Sequence, residues 1–366
     1  MSEWREIKLG DLGTIVTGKT PSKKNPEDWG DDTLFITPSD YGNYRKWADD
    51  SIRKLSTHGV EKLSNKVLPV GAILVTCIGS DMGKVVMNRK KAITNQQINS
   101  IVPNADVVNP DFAYYLLVDL YETLRIYGGD GTAVPIVNKG DFEKIDALTP
   151  EKEEQHAIAS VLSSLDDKID LLHRQNQTLE QMAETLFRQC FVEEADESWE
   201  EGVLGDLVEV KYGKDHKKLM EGLIPVYGSG GFMRSVEKPL FEGESVLIPR
   251  KGTLNNVMYV DEPFWTVDTM FYTIMKKPNL AKFIYQFIKQ KDLASMNVGS
   301  AVPSMTTAVL NNMPIEIPQG DFLEKFDGIV SEFYSKVKSN QTQIRTLNSL
   351  RDTLLPKLMS REVRVE

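Results

Sequence analysis

Two segments of the chain carry apolar residues at alternating intervals of four and three. The first series runs from Ile158 to Cys190 and the second from Phe326 to Leu358, and the two correspond position by position at an offset of 168. A heptad pattern sustained over this length predicts two long helices that pair along a narrow seam as a coiled coil. The less favoured alternative is a helix packed on the surface of its own domain, which usually shows a broader apolar stripe.

The ends of both helices carry local signals. Thr149-Pro150-Glu151 predicts a start with a capping residue, a proline at the first helical position and acids in the first turn. Asp321 and Glu324 predict a capping box for the second helix. Pro356 predicts that this helix ends or kinks near Leu355, because proline cannot donate the helical hydrogen bond.

The remaining segments are rich in Gly, Pro and Asn and contain only short apolar runs. Runs bounded by turn residues predict strands at 34–36, 72–75, 84–87 and 245–248. Two further runs, 112–117 and 283–288, follow Asn-Pro or Asn-Leu and predict short helices. Each of these segments therefore has the pattern of a compact α+β domain.

The chain also repeats itself. Trp4 to Leu12 matches Trp199 to Leu207 at an offset of 195, and Gly18-Lys19 matches Gly213-Lys214 at the same offset. Gly71 matches Gly243 at an offset of 172, and residues 131–135 match 299–303 at 168. The first copy is therefore longer, and 23 of its extra residues lie between Gly18 and Gly71. Matching edges with divergent interiors indicate one scaffold that carries two different working surfaces.

These patterns predict an α+β protein with an internal pseudo-twofold repeat. Two similar domains are separated by two long helices that form an antiparallel coiled coil. We place the first domain at 1–148, the first helix at 149–192, the second domain at 193–317, and the second helix with a C-terminal tail at 318–366.

Composition narrows the classes of function. The net charge of -10 disfavours a surface that binds nucleic acid throughout, although it allows a local basic face. The two cysteines are far apart in sequence and, with four scattered histidines, predict reduced thiols and no metal site. The absence of a long apolar run and of a signal-peptide pattern predicts a cytoplasmic protein without a membrane partner.

Motifs for catalysis are not convincing. Asn109-Pro110-Asp111-Phe112 resembles a methyltransferase motif only superficially, because its third residue is an acid, and a helix start is the better interpretation. No phosphate-binding loop of the Walker type occurs, so the sequence does not indicate ATP binding. Gly228-Ser229-Gly230-Gly231 lacks the context of a nucleophile elbow and is interpreted as a flexible loop.

The alternation of variable domain and long helix resembles the specificity subunit of type I restriction–modification systems. The segments that carry the resemblance are 4–12 with Gly18-Lys19-Thr20-Pro21, 150–158, 299–303 with 315–318, and 347–360. The second copy departs from the pattern where Gln319-Gly320-Asp321-Phe322 replaces the acidic-glutamine entry of the helix.

The resemblance implies a DNA-specificity protein without catalytic activity. Each domain would be a target-recognition domain that reads one half of a bipartite sequence in double-stranded DNA. The helices would set the spacing and dock two modification subunits, and restriction subunits would join for cleavage. The chain would hold no cofactor, with S-adenosylmethionine, ATP and Mg on its partner subunits.

Candidate DNA-binding residues are the Lys, Arg, Asn, Ser, Thr and Tyr side chains of predicted loops. Cations suit phosphates, whereas Arg, Asn and hydroxyl groups suit base edges. The candidates are Lys19, Thr20, Ser22, Lys23, Lys24, Asn43, Tyr44, Arg45, Arg89, Lys90, Lys214, Lys217, Ser229, Arg250, Lys251, Asn255 and Asn256. The alternative is a duplicated scaffold or ligand-binding protein with no DNA role, which the acidic charge favours slightly.

Each heptad seam contains one asparagine, Asn176 and Asn340. At the offset of 168, Asn340 corresponds to Leu172, so antiparallel pairing about position 174 brings the two asparagines opposite each other. Facing amides can satisfy each other, whereas an amide facing leucine would lose hydrogen bonds. We therefore predict a direct Asn176–Asn340 contact that fixes the register of the coiled coil.

Overall fold

The computed structural model describes residues 4–22, 24–42, 46–129, 135–196, 198–296 and 304–365. These form two compact units, and each unit takes half of each long helix. The first unit contains residues 1–173 and 341–366, and the second contains residues 174–340.

The first domain mixes short strands with short helices, as its sequence predicts. Its described strands are β1 (Arg5–Lys8), β2 (Gly13–Thr17), β3 (Trp29–Gly30), β4 (Thr33–Ile36), β5 (Trp47–Ala48), β6 (Arg53–Leu55), β7 (Ile73–Thr76), β8 (Val85–Asn88), β9 (Ala92–Thr94), β10 (Ile98–Pro103) and β11 (Asp146–Thr149). Its described helices are α1 (Thr57–Lys62), α2 (Pro110–Asp119), α3 (Tyr121–Tyr127) and α4 (Lys139–Lys144). Asn109 caps α2 by accepting a hydrogen bond from the Phe112 amide at 3.0 Å, which confirms a helix start at this Asn-Pro.

The first long helix, α5, spans Lys152–Arg188 and continues into a π-helical turn, Gln189–Glu193. The second domain follows. Its described strands are β12 (Glu200–Val203), β13 (Val208–Tyr212), β14 (Ile224–Gly228), β15 (Gly231–Val236), β16 (Ser245–Pro249), β17 (Met258–Val260), β18 (Trp265–Thr266), β19 (Met270–Met275) and β20 (Pro314–Ile317). Its described helices are α6 (Leu204–Leu207), α7 (Ala281–Lys289) and α8 (Thr307–Asn311), and the second long helix, α9, spans Gly320–Met359.

The two domains share one sheet plan. The larger sheet has the order β2-β10-β7-β8-β5 in the first domain and β13-β19-β16-β17 in the second. The smaller sheet has the order β3-β6-β4-β9 in the first and β15-β14-β18 in the second. Strands β3 and β5 are the additions of the first domain, and both lie in the longer segment that the offsets predict. A two-stranded ladder, β1 with β11 or β12 with β20, closes each domain beside its outgoing long helix.

The long helices pack antiparallel within each unit. In the first unit, Leu172 and Ile169 cluster with Ile344, and residues nearer the start of α5 share a core with the end of α9. In the second unit, Phe187 packs edge-on against Phe326 with ring centroids 6.1 Å apart. The predicted coiled coil is therefore present.

Both helices also pack on the domains, so the less favoured alternative describes part of their surface. Buried positions beside the seam, such as Ala159, Phe187, Leu323 and Met359, belong to the cores of the domains. Each apolar stripe is consequently broader than a strict heptad seam, because one side faces the partner helix and the other faces a sheet-and-helix domain.

The helix ends differ from the sequence expectations. Helix α5 starts two residues after Pro150, because Thr149 still pairs with Arg5 in the β1–β11 ladder. Helix α9 already includes Asp321 in its first turn, where Leu323 donates to the Gln319 carbonyl, so Asp321 is not the cap. Pro356 lies inside α9, which ends at Met359. Pro356 lacks the amide that would bond to the Asp352 carbonyl, but the helix continues to Met359 and the Pro356 carbonyl accepts from the Ser360 amide at 2.9 Å.

Candidate nucleic-acid interface

A glycine–lysine turn occupies the same place in both domains. Lys19 follows β2 and its amide donates to the Thr94 carbonyl at 2.9 Å. Lys214 follows β13 and its amide donates to the Thr266 carbonyl, also at 2.9 Å. Both lysine side chains are exposed. The repeat thus places one cation at the same edge of each domain, at the end of the strand that begins its larger sheet.

The glycine of this turn is required by close backbone contact. A Cβ on Gly18 would lie 2.2 Å from the Thr94 and Asn95 carbonyl oxygens, and a Cβ on Gly213 would lie 2.0 Å from the Val267 oxygen. No real side chain tolerates such distances, so only glycine lets the strand pass the neighbouring turn. In the shared Gly-Lys pair, the glycine is therefore required by the fold, whereas the exposed lysine side chain is available to bind a ligand.

In the second domain, the structure brings several predicted residues together around this turn. The Asn256 amide donates to the Ser229 carbonyl at 2.8 Å, and a Cβ on Gly252 would lie 2.7 Å from the Ser229 hydroxyl. Arg250 donates to the Asp268 carbonyl at 3.2 Å, in the loop that follows Thr266. Lys251 and Lys217 are exposed. Lys214, Ser229, Arg250, Lys251 and Asn256 thus form one polar and basic edge.

Residues 228–231 are a tight turn and not a flexible loop. Gly228 and Gly231 are cross-strand partners in the β14–β15 hairpin, so Ser229 and Gly230 alone form the connection. Gly231 has a φ of +106°, a backbone conformation that glycine adopts readily. The glycines therefore serve hairpin geometry, which the sequence interpretation missed.

In the first domain the predicted residues are more scattered. The Thr20 hydroxyl donates to the Gln96 side chain, which ties the lysine turn to the β9–β10 loop. The Ser22 hydroxyl accepts a hydrogen bond from the Lys24 amide at 3.2 Å, and the Ser22 and Lys24 side chains are exposed. Lys90 is exposed and its carbonyl accepts from Asn88.

Two predicted residues are held by carboxylates. Arg89 donates to Asp170 of α5 at 2.8 Å and approaches Asp49 at 3.4 Å, and its guanidinium lies 4.8 Å from the Trp47 ring centroid. Asn255 donates to Asp292 at 3.0 Å. Arg89 attaches the first domain to its helix, so we leave it out of the proposed DNA surface. Asn255 shapes a loop end, and we leave it out as well.

Some predicted residues lie outside the part of the chain that the structure describes. These are Lys23, Asn43, Tyr44 and Arg45, together with the repeated turns at 131–134 and 299–303.

The structure adds an amide-rich loop that the sequence interpretation did not select. Asn95, Gln96 and Gln97 connect β9 to β10 directly beside the Lys19 turn. Asn95 donates to the Gln97 side chain at 2.7 Å, which orders the loop, and Gln96 is exposed. Side-chain amides are suited to reading adenine edges. The sequence signal that could have revealed this loop is a run of three amide residues between two apolar runs.

Buried ion pairs fasten each domain to its helices. Lys46 is 3% exposed and donates to Asp111 at 2.7 Å and to Ser163 of α5 at 3.0 Å. In the second unit, Lys282 donates to Glu244 at 2.6 Å and to Asp327 of α9 at 2.9 Å. Burial lowers the pKa of Lys282, but its two acidic partners outweigh this and raise the pKa overall. These contacts are structural and hold each recognition surface at a fixed angle to the helix in its own unit.

The predicted asparagine contact is present. The Asn340 amide donates to the Asn176 side-chain oxygen at 2.8 Å, and Asn340 is 0% exposed. A weaker contact at 3.4 Å joins the same amide to Gln175. That this pair fixes the register of the two helices remains a prediction.

One group of possible metal ligands occurs among the described residues, in the first domain. Glu27, Asp28 and His58 each offer an atom within 4.8 Å of the others. The Lys62 ammonium lies 2.6 Å from Asp28 and 3.8 Å from Glu27, and its hydrogen bond lowers the pKa of Asp28. Lysine thus supplies the positive charge that these carboxylates require.

Across the described residues, no helix is both long enough and apolar enough to cross a bilayer.

Comparison with known proteins agrees with this architecture. The profile of the type I restriction modification DNA specificity domain matches residues 1–181 and 196–347. The MjaIX specificity subunit of Methanocaldococcus jannaschii is 28% identical over 412 residues, covering 100% of this chain and 94% of that protein. The HindI specificity subunit of Haemophilus influenzae is 40% identical over 152 residues, covering 41% of this chain and 32% of that protein.

A solved structure shows the same fold. The crystal structure of a type I restriction–modification S subunit from M. genitalium superposes with a TM-score of 0.61 at 22% identity, covering 98% of this chain and 96% of that one. Proteins of this kind confer DNA specificity and are not catalytic, and the scaffold without a DNA role is not favoured. Two matched domains, the shared sheet plan and the paired helices lead to one conclusion: this chain belongs to the type I restriction–modification DNA specificity family.

Proposed function

We propose that residues 1–148 and 193–317 each read one half of a bipartite DNA sequence. The observation that carries this proposal is the duplicated lysine turn, Lys19 and Lys214, with its matched backbone hydrogen bonds. Around it the side chains differ, since Asn95-Gln96-Gln97 in one domain corresponds to Val267-Asp268-Thr269 in the other. Shared cations suit phosphate contacts that position a domain, and divergent neighbours suit base contacts that specify sequence.

A domain exchange tests the half-site assignment. Residues 1–148 are replaced by the matching domain of a relative, and the methylated motif is read by sequencing the DNA of cells that also carry the modification subunits. We expect one half of the motif to change while the other half is retained. A change in both halves, or in neither, would contradict the assignment.

The phosphate role of the lysines is tested by salt dependence. Lys214→Ala should weaken binding to all sequences and reduce the slope of log affinity against log salt by about 0.9, the value for one phosphate contact. Lys277→Ala is the matched control, because Lys277 is exposed beyond the opposite end of β19. Equal slopes for the two variants would remove Lys214 from the interface.

We further propose that the helices dock two modification subunits, which carry S-adenosylmethionine, and that restriction subunits with ATP and Mg join this complex. In the second unit, a groove of about 400 Å³ between α5 and α9 is lined by Met182, Leu186, Ile329 and Phe333. Met182 is 46% exposed, and Leu350, its equivalent at offset 168, is 44% exposed. A repeated apolar site suits two copies of one partner, each inserting an apolar helix face.

Stoichiometry tests the docking proposal. Met182→Glu and Leu350→Glu should each reduce the number of bound modification subunits from two to one, as measured by native mass spectrometry. Lys168→Glu, at an exposed position of α5, is the control and should leave two subunits bound. Retention of both subunits by the Met182 and Leu350 variants would place the docking surface elsewhere.

A further inference from the structure

The smaller sheets of the two domains differ at one edge. Strand β4 pairs antiparallel with β6 and parallel with β9, and β14 likewise pairs antiparallel with β15 and parallel with β18. Strand β6 is therefore the equivalent of β15. The outer edge of β6 is covered by β3, whereas β15 has no further strand beside it among the described residues. The second domain thus presents the β14–β15 ribbon at the edge of a three-stranded sheet, in which the outer side of β15 is uncovered by any described strand and β14 also pairs with β18 at Val226 and Tyr227.

The tip of this ribbon is apolar and uncovered. Phe232 is 63% exposed and Met233 is 53% exposed, immediately after the Ser229–Gly230 turn. In the first domain, the Trp29 ring of the equivalent sheet is covered by the Arg53 guanidinium, which lies 3.4 Å from its centroid. Two adjacent, large, bare apolar side chains on a hairpin tip indicate a surface that becomes buried in a complex.

Basic turns flank the tip on both sides. Tyr227, the cross-strand partner of Phe232, accepts hydrogen bonds from Thr266 and Val267 at 3.0 and 3.1 Å, and the Thr266 carbonyl receives the amide of Lys214. On the other side, Ser229 lies against Gly252, next to Lys251. The turns at 213–218, 250–252 and 267–269 contain five Lys or Arg residues and two Asp residues. The turns that flank the apolar tip therefore carry a net positive charge, with Glu262 as a nearby acid that accepts a hydrogen bond from the Tyr227 hydroxyl at 3.3 Å.

This combination fits duplex DNA better than a protein or lipid surface. The major groove has negative phosphates along its rims, and the thymine C5 methyl group is the apolar feature of the base edges on its floor. The groove is about 12 Å wide and admits a two-stranded ribbon, whose strands are about 4.8 Å apart. The charge and polarity of the ribbon tip and its flanking turns match that arrangement.

We propose that Phe232 and Met233 enter the major groove and contact thymine methyl groups in the half-site read by the second domain. This inference rests on the proposed function and names the base feature that the second domain reads. It makes both residues specificity determinants, while Lys214 and Lys251 hold the ribbon against the phosphates. Accordingly, the half-site of the second domain must contain at least one thymine on either strand at the contacted position.

Uracil substitution tests this contact, because uracil is thymine without the methyl group. The full chain, assembled with its modification subunits, is titrated with synthetic duplexes of its methylated motif in which each thymine is replaced in turn by uracil. We expect affinity to fall roughly fourfold at one or two positions of a single half-site, the value for losing one buried methyl group from a contact. Phe232→Ala should bind the thymine duplex correspondingly more weakly and lose its sensitivity to uracil at that position.

Leu223→Ala is the matched control, since Leu223 is 95% exposed but lies at the other end of β14 from the tip. It should retain full affinity and full uracil sensitivity. Sequence-specific binding with no uracil effect, a motif half without thymine, or an unaltered uracil profile in Phe232→Ala would each overturn the proposal. The uracil scan of the chain without substitutions tests the thymine contact even if a variant folds poorly. Absence of any sequence-specific binding would instead refute the proposed function itself.

Discussion

The two copies of the repeat build equivalent layers of the coiled coil from different side chains. In the first unit, Leu172 and Ile344 form an apolar layer together with Ile169. In the second unit, the equivalent positions are Asn340 and Asn176, joined by a hydrogen bond. A shift by one heptad would place Asn340 against Ile169 or Ala183 and leave its amide unpaired. We therefore expect a polar pair in only one of two equivalent layers to favour one register, which two apolar layers would not do.

A second pair of equivalent positions also differs between the two units, here in charge. In the first unit, Asp166 is 3% exposed and accepts hydrogen bonds from Tyr115 at 2.6 Å and from Arg351 at 2.8 Å. In the second unit, the corresponding contact is Gln286 to Tyr334 at 2.7 Å. The position equivalent to Arg351 is Ala183, which is fully buried. Each domain is thus linked to its helix at equivalent positions, but a buried charge occurs at these positions only in the first unit.

The largest effect should come from removing the charge that compensates Asp166. Arg351→Ala leaves a buried carboxylate with one neutral donor, so we expect a loss of about 3–5 kcal/mol in the free energy of unfolding. Urea denaturation measures it. Arg345→Ala, at an exposed position on the same helix, should stay within about 0.5 kcal/mol. If Arg351→Ala and Arg345→Ala lost equal stability, the Arg351–Asp166 contact would not stabilise the first unit.

Substitutions in the polar layer should lower the free energy of unfolding by a smaller amount. The size of the loss should depend on which residue faces the substituted position. Asn176→Leu leaves the buried Asn340 amide without its main partner, so we expect a loss of about 1–3 kcal/mol. The double variant with Asn340→Leu copies the apolar layer of the first unit and should recover this loss or exceed the original stability. Among the described residues, the Asn340 side-chain oxygen has no hydrogen-bond partner from the protein. Additive losses in the double variant would show that the two asparagines act independently.

The smallest effect should come from Gln175. Its 3.4 Å contact with the Asn340 amide is long and its side chain is exposed. Gln175→Ala should change the free energy of unfolding by less than about 0.5 kcal/mol. A loss as large as that of Asn176→Leu would redefine the polar layer as three residues.

The reliable sequence signals were periodic or repeated. The heptads predicted both helices, and the offset arithmetic predicted the Asn176–Asn340 contact, because helical geometry fixes which residues share a layer. The cap predictions at Thr149 and Asp321 were wrong, because a strand pair at Thr149 and an earlier first turn at Gln319 took precedence over local propensity.

The candidate site was predictable only in outline. Composition could select Lys214, Ser229 and Arg250 as loop residues, but their assembly at one edge depends on how β13, β14 and β16 are ordered in two sheets. Nothing in the local sequence of Arg89 shows that Asp170, distant along the chain, neutralises it. The same holds for the exposure of Phe232, which lies on β15, an edge strand of its sheet among the described residues.

The sequence by itself determined the duplicated organisation, the two paired helices and the layer in which the asparagines meet. These follow from spacing along one chain, since a helix converts sequence interval directly into position on a face. Only the tertiary structure decided which basic side chains remain exposed, which are used to attach a domain to its helix, and which apolar residues are left bare. Those outcomes depend on contacts between segments far apart in sequence, which no local pattern encodes.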